Sequence, residues 1–240
     1  WVNFQRKNEH QPLHRHSGDL SLIIFIKIPK EIKINEVFKP LFIPDFPGVQ
    51  ELFRDIILDD EYSLSALEVN EIRTIVDVGA NIGIFSIGAR IFFPDAEIHA
   101  YEPNQDNLSH LSLHADSIGF SVYEEAVGFE DGTCGLATST RHDTSAKMTT
   151  GEGSIKVSGL NTILSRFSSD SIDLLKLDCE GSEFQILRDS ENLQFFNYIS
   201  MEYHVSHEKE LLTLVKLLDK ANFEIVSQEE RNEALGNILA

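Results

Sequence analysis

The chain has 240 residues and a formal charge of −19, from 39 acidic and 20 basic side chains. Nucleic acid and anionic membrane surfaces need clustered Lys and Arg, and the basic residues here are scattered, so both are excluded as partners. No stretch approaches the roughly 18 uninterrupted apolar residues of a membrane span. Cys134 and Cys179 lie far apart, which suits reduced thiols in a cytoplasmic protein better than a disulfide.

Residues 1–70 read as a cap or dimerisation segment, and a homo-oligomer is left open. His10, His14 and His16 cluster near the start, where a solvated terminus accounts for them better than a metal site does. Leu20–Ile28 and Glu31–Ile34, parted by Pro29-Lys30, suggest two strands or a hairpin. Val49–Leu58 and Ser63–Val69 read as short helices.

From Ile72 strands and helices alternate, which predicts an α/β domain over residues 71–240 with a parallel sheet covered on both faces. Strands are expected at Ile75–Val78, Ile98–Tyr101, Ser121–Glu124, Ile172–Leu177, Ile199–Tyr203 and Phe223–Val226. Helices are expected at Ile82–Phe92, Asn104–Ile118, Glu183–Arg188 and His207–Ala221. The Gly-, Ser- and Thr-rich stretch Gly128 to Leu160 breaks the rhythm and reads as a hairpin or loop, with helix resuming over Leu160–Phe167.

The first strand runs through Asp77 into Gly79-Ala80-Asn81-Ile82-Gly83, and the second ends in Glu102-Pro103, 25 positions after Asp77. A carboxylate so placed suits the hydroxyls of a nucleoside ribose. Asn81 stands where a nicotinamide fingerprint needs glycine for close approach to a pyrophosphate. A ligand without phosphate has no such need. Asp77 can hold an ammonium, and the N–H groups at the helix start suit a carboxylate. S-adenosylmethionine meets all of these demands. Glu125 and Ala126, at the third strand's tip, are expected near its adenine.

The second signal is Asp173 to Glu183, in which Lys176, Asp178 and Glu180 share one face of an extended chain that turns at Gly181. Glu202 and His204 share a face at the same end of the next strand. Charges gathered at a strand's carboxyl end are unfavourable unless they pair or serve a ligand. His204 is the expected general base, with Asp178 or Glu180 orienting it, replacing it or gripping the acceptor. An alternative adds a divalent ion, Mg²⁺ or Mn²⁺, on Asp178, Glu180, Glu202 and His204; the metal-free reading is preferred.

Val76-Asp77-Val78-Gly79-Ala80-Asn81-Ile82-Gly83, Tyr101-Glu102-Pro103, Asp173 through Glu183 and Met201-Glu202-Tyr203-His204 occur in order. Together they resemble the FkbM family of S-adenosylmethionine-dependent methyltransferases, over roughly residues 72–240. The resemblance implies a Rossmann-like class I methyltransferase fold, a seven-stranded sheet with its last strand antiparallel. It also implies O-methylation of a sugar or another hydroxyl-bearing natural product, so a small-molecule or glycan acceptor. Where many members carry a Thr-Leu-Asp element before the fourth strand, this chain has Gly159-Leu160-Asn161-Thr162. The competing readings are a nicotinamide-dependent oxidoreductase and a non-catalytic methyltransferase-like domain used for binding or assembly.

Overall fold

The computed structural model describes residues 11–13, 23–25, 28–45, 48–69, 71–137, 147–149, 153–179, 182–205, 208–232 and 235–240. The cluster His10, His14 and His16 lies outside these, as do Glu180 and Gly181.

Thr74–Val78 (β1) is buried at all five positions, as a strand covered on both faces must be. The chain then passes through Gly79, Asn81 and Gly83 at φ +72°, +53° and +91°. These left-handed residues hold off helix geometry until Ile84, so the first helix is Ile84–Phe92 (α1) rather than one starting at Ile82. Glu97–Tyr101 (β2) leads to Gln105–Ile118 (α2), where the Asn104 side chain accepts from Asp106 N and Gly119 closes the far end. Ser121–Tyr123 (β3) stops one residue early, because Glu125 N turns back to Tyr123 O at 2.8 Å.

The remaining elements of the main sheet are Ile172–Leu177 (β4), Phe196–His204 (β5), Glu208–Lys220 (α3), Ser227–Asn232 (β6) and Leu235–Leu239 (β7). The strand order is β3-β2-β1-β4-β5-β7-β6. Pairs from β3 to β5 are parallel, and β7 runs antiparallel to both β5 and β6. This is the seven-stranded, mostly parallel class I arrangement that the resemblance implies.

Phe223–Val226 is a correction: it is not a strand. Ile225 and Val226 face solvent, and the paired strand is the polar, exposed run Ser227–Asn232 at the sheet's edge. Charged side chains protect such an edge from unwanted pairing, so apolar content pointed to the wrong four residues. The helix expected at Glu183–Arg188 is two short pieces, Glu183–Ile186 and Ser190–Leu193. Cys179 falls past the end of β4 rather than inside it, and both cysteines are free.

Between β3 and β4 lies a second sheet, ordered Lys147–Thr149, Gly132–Ala137, Ile155–Gly159, Ala126–Gly128. Its first pair is an antiparallel hairpin arm, and helix resumes only over Leu160–Leu164.

Before β1, Glu31–Ile34 pairs with Val37–Pro40, not with the preceding strand. Asn35 and Glu36 both take positive φ, which is what a two-residue hairpin turn requires. Ile23–Phe25 pairs instead with Gln11–Leu13. Val49–Phe53 is α-helical and passes into a π-helical turn, Arg54–Leu58; Ser63–Val69 holds only a 3₁₀ turn at Leu64–Ala66. Leu41, Phe53, Ile56 and Leu64 share one apolar cluster with Ile75, Ile87 and Leu174. This segment and α1 therefore cover the sheet face that Asp77 and Lys176 share. The opposite face is closed by Leu214 and Leu218 of α3 against Val76, Leu175 and Met201.

Candidate active site

The tip of β1 is underpinned by charge. Asp77 is fully buried; it accepts from Ser86 Oγ at 2.7 Å, and its Oδ1 lies 3.1 Å from Lys176 Nζ. Lys176 also donates to Val78 O at 3.2 Å and Gly79 O at 2.8 Å, and sits 3.7 Å from Asp178. Burial alone would lower the Lys176 pKa, but the charges of Asp77 and Asp178 outweigh it and raise it. The ammonium is held as a cation beneath the turn. The Asp77 carboxylate thus faces Ser86 and Lys176, and neither it nor Lys176 lines the cavity above.

That cavity, about 150 Å³, opens over the tips of β1, β2, β3 and β4. Gly79, Asn81, Glu102, Pro103, Glu125, Ala126, Asp178 and Glu202 line it, together with residues that sequence reasoning did not single out: Leu52, Asn104, Asn107 and Ser182. Gly79 N and Ala80 N both donate to Tyr101 O, at 3.0 Å each, which folds the turn onto β2. Ala80 packs against Ala100 and Leu111, and Gly83 fits against Leu111; neither lines the cavity.

Glu102 is 5% exposed. Its Oε2 accepts from Asn81 N at 2.7 Å and its Oε1 from Asn104 N at 2.8 Å. Burial raises its pKa, against the lowering effect of the Asn104 and Asn81 N–H groups. The Asn107 side chain also bonds this carboxylate, and its remaining lone-pair capacity is open to a ligand hydroxyl. Asn81 Oδ1 is buried with no hydrogen-bond partner among the described residues, an orphan acceptor in the cavity wall. Two oriented acceptors beside an apolar patch of Ala126 and Val127 fit a nucleoside. Glu125 also lines the cavity, but its carboxylate accepts from Lys156, Ser158 and Arg166 at 2.5–2.7 Å. Burial would raise its pKa; those bonds more than reverse it.

The far wall gathers Asp178, Glu202 and His204, each offering an atom within 4.8 Å of the others. Asp178 and Glu202 line the cavity, whereas His204 stands behind Glu202, with Nε2 3.6 Å from its Oε2. Burial, and then the charges of Asp178 and Glu61, push the Glu202 pKa up to about 9, so it holds a proton at neutral pH. Four further groups were not foreseen as site residues. Tyr62 donates to Asp178 Oδ2 at 2.9 Å. Arg231 bridges Glu61 at 2.6 Å and Glu202 at 3.6 Å. Fully buried Glu183 places Oε1 3.8 Å from His204 Nδ1. Glu183 lies within the motif that carries the family resemblance and could have been found there. Tyr62 and Glu61 come from the segment without motifs, and Arg231 from the polar edge strand.

Residues 77–225 match the Methyltransferase FkbM domain family. The chain is 28% identical over 194 residues to methyltransferase sdnD of Sordaria araneosa, covering 64% of this chain and 74% of that protein. It is 39% identical over 54 residues to the 31-O-demethyl-FK506 methyltransferase FkbM of Streptomyces tacrolimicus, spanning 22% of this chain and 21% of that one. Among solved structures, a methyltransferase from Leishmania major aligns with TM-score 0.48 at 10% identity, covering 82% of this chain and 78% of that one. Aeropyrum pernix fibrillarin, with natively bound S-adenosyl-L-methionine, aligns with TM-score 0.45 at 14% identity, covering 72% and 68%. Fold, turn and family match define an S-adenosylmethionine-dependent methyltransferase, which sets aside the nicotinamide and non-catalytic readings. The chain belongs to the FkbM methyltransferase family, which its matched region of residues 77–225 establishes.

Proposed function

We propose that the protein transfers the methyl group of S-adenosylmethionine to a hydroxyl oxygen of a sugar or natural-product acceptor. The observation that carries this reading is that one cavity is lined both by Glu102, with its two oriented oxygens, and by the Asp178–Glu202 pair. The cofactor's ribose lies on Glu102, its adenine against Ala126 and Val127, and its amino-acid end over Gly79 and Asn81. The acceptor enters on the side of Asp178 and Glu202. A relative in the family is named for O-methylation of a natural product, which favours the same acceptor class here.

Transfer is an in-line displacement at the methyl carbon, and a neutral hydroxyl attacks poorly until its proton is taken. That proton passes into the cluster of Asp178, Glu202 and His204, where the imidazole is the natural acceptor near neutral pH. Glu202, already protonated, donates rather than accepts, and Tyr62 with Lys176 holds Asp178 in place. The rest of the acceleration comes from alignment of oxygen, carbon and sulfur. Residues 1–70 act as a cap on the acceptor side, a role supported by Leu52 in the cavity wall and Tyr62 on Asp178. The proposed compartment is the cytoplasm, on the widely spaced cysteines.

The test is incubation with methyl-labelled cofactor and a panel of glycosides, polyketide alcohols, amines and carboxylic acids, read by mass spectrometry. A gain of one methyl on oxygen, as an alkali-stable ether, is the expected product. Transfer only to nitrogen or carboxylate would overturn the hydroxyl assignment.

A further inference from the structure

We propose that Asp178, Glu202 and His204 form a binding site for one divalent cation of the Mg²⁺ or Mn²⁺ class, open to the cofactor cavity. One ligand atom from each lies within 4.8 Å of the others, close enough for a single ion to be drawn between them. The three come from two neighbouring strands: Asp178 just beyond the end of β4, and Glu202 and His204 on one face of β5. All three are only partly buried, so an ion has a path in and can keep water or acceptor oxygens as further ligands.

A second observation points the same way. Glu183 is fully buried; its Oε1 sits 3.8 Å from His204 Nδ1, and its Oε2 has no hydrogen-bond partner among the described residues. Glu183 Oε1 accepts from Cys179 N at 3.0 Å, which fixes the carboxylate behind the ring. At 3.8 Å it acts on His204 through its charge rather than through a hydrogen bond, and a small closing movement would give the support that metal-binding histidines ordinarily receive. His204 Nε2 does face Glu202, at 3.6 Å. The charge balance agrees. Asp178, Glu183 and Glu61 surround this wall and Asp77 lies beneath it, against the fixed cations Lys176 and Arg231, and an ion bound here would displace the Glu202 proton. Lys176 is held by Asp77 and by backbone carbonyls, and Arg231 by Glu61 at 2.6 Å. An added cation would neutralise what these two leave over.

The site's role rests on the methyltransferase reading; its existence does not. Beside the cofactor, the ion would bind the acceptor hydroxyl as a Lewis acid and lower its pKa, so that the hydroxyl proton could pass to solvent water. With the ion bound, His204 would be a ligand, and its proton-accepting role would belong to the ion-free site alone. Oxygen-rich ligands with one imidazole suit a hard or borderline cation.

Mn²⁺ alone is the probe, titrated into the purified full-length protein and followed by loss of the free-ion electron paramagnetic resonance signal. The expected result is one Mn²⁺ bound per chain, with affinity falling at least about tenfold in both D178N and H204Q. Glu183→Gln, a change to a positioning residue, is expected to weaken uptake about ten- to hundredfold. Calorimetric binding of S-adenosylhomocysteine in the same samples confirms that each variant is folded and keeps its cofactor site. No uptake by the wild type at about 1 mM Mn²⁺, or uptake unchanged in both ligand variants, overturns the proposal. Methyl transfer that persists without bound ion would overturn the Lewis-acid role given to the ion, while leaving the methyltransferase reading intact.

Discussion

Lys176 Nζ lies 3.1 Å from Asp77 Oδ1, and the two side chains are buried to within 2% of completely. The pair joins adjacent strands beneath the glycine turn after β1, and the same ammonium holds the carbonyls of Val78 and Gly79. Lys176→Met leaves Asp77 as a buried charge with only Ser86 for company. Removing one partner of a buried pair typically costs about 3–5 kcal/mol, and urea denaturation of K176M should show a loss of that size. The double variant K176M/D77L should lose less than K176M, since no charge is stranded. Equal losses in the two would show that the pair is not the source of the stability.

Two backbone N–H groups orient Glu102, the residue proposed to hold the cofactor's ribose hydroxyls. Hydrogen bonds to a charged group are worth about 1.5–3 kcal/mol each. Glu102→Ala should therefore weaken S-adenosylhomocysteine binding about ten- to hundredfold. Isothermal titration calorimetry checks this, and unchanged affinity would remove Glu102 from the cofactor site.

The sequence made the parallel core legible because buried strands and the glycine turn leave strong local marks. β1 is apolar on both faces except at Thr74 and Asp77, and Gly79 and Gly83 occupy left-handed positions that few other residues tolerate. The edge was harder to read. β6 is Ser-Gln-Glu-Glu-Arg-Asn, whose polar side chains carry no alternation, while its apolar predecessor Phe223–Val226 is irregular chain after the turn at Ala221 and Asn222. Asp178, Glu202 and His204 could be gathered from strand periodicity alone. Tyr62 and Arg231 could not, since each reaches the site through tertiary packing that no local pattern records. Nor does spacing distinguish a cavity-lining carboxylate from one beneath the floor, which is why sequence reasoning puts Asp77 on the ligand's ammonium just as it puts Glu102 on its ribose.

His114 ties the N-terminal segment to the glycine turn after β1. Its Nε2 accepts from Phe42 N at 2.9 Å while Nδ1 donates to Ile82 O at 2.6 Å, an arrangement open only to the neutral ring. Burial lowers its pKa below 6.5, and His110 adds to that, against the Ile82 carbonyl. Below pH 6.5 the unfolded chain takes up a proton that the folded imidazole refuses. Stability is thus full above pH 6.5 and is lost as pH falls from there toward the lowered value. Thermal melts of the wild type and H114Q across that range should converge as pH drops. A constant gap between the two would sink this account.

Gly79 is where the turn meets β4. It sits at φ +72°, and a Cβ added there would lie 1.8 Å from Asp178 O and 2.8 Å from Asp178 C. Those are backbone atoms, which cannot swing aside as a side chain can. β1 and β4 would have to part at their tips, where the Lys176 bonds and the cavity floor converge. Gly119 is a control with a similar angle, φ +88°, and no atom within 4 Å of an added Cβ. Gly119→Ala should cost only the left-handed penalty of about 1–2 kcal/mol. Gly79→Ala carries that penalty and the clash as well, and should exceed about 4 kcal/mol or prevent folding. Urea denaturation of both variants decides the matter: comparable losses would mean that β4 yields easily, and that Gly79 serves its backbone angle rather than the close approach of two strands.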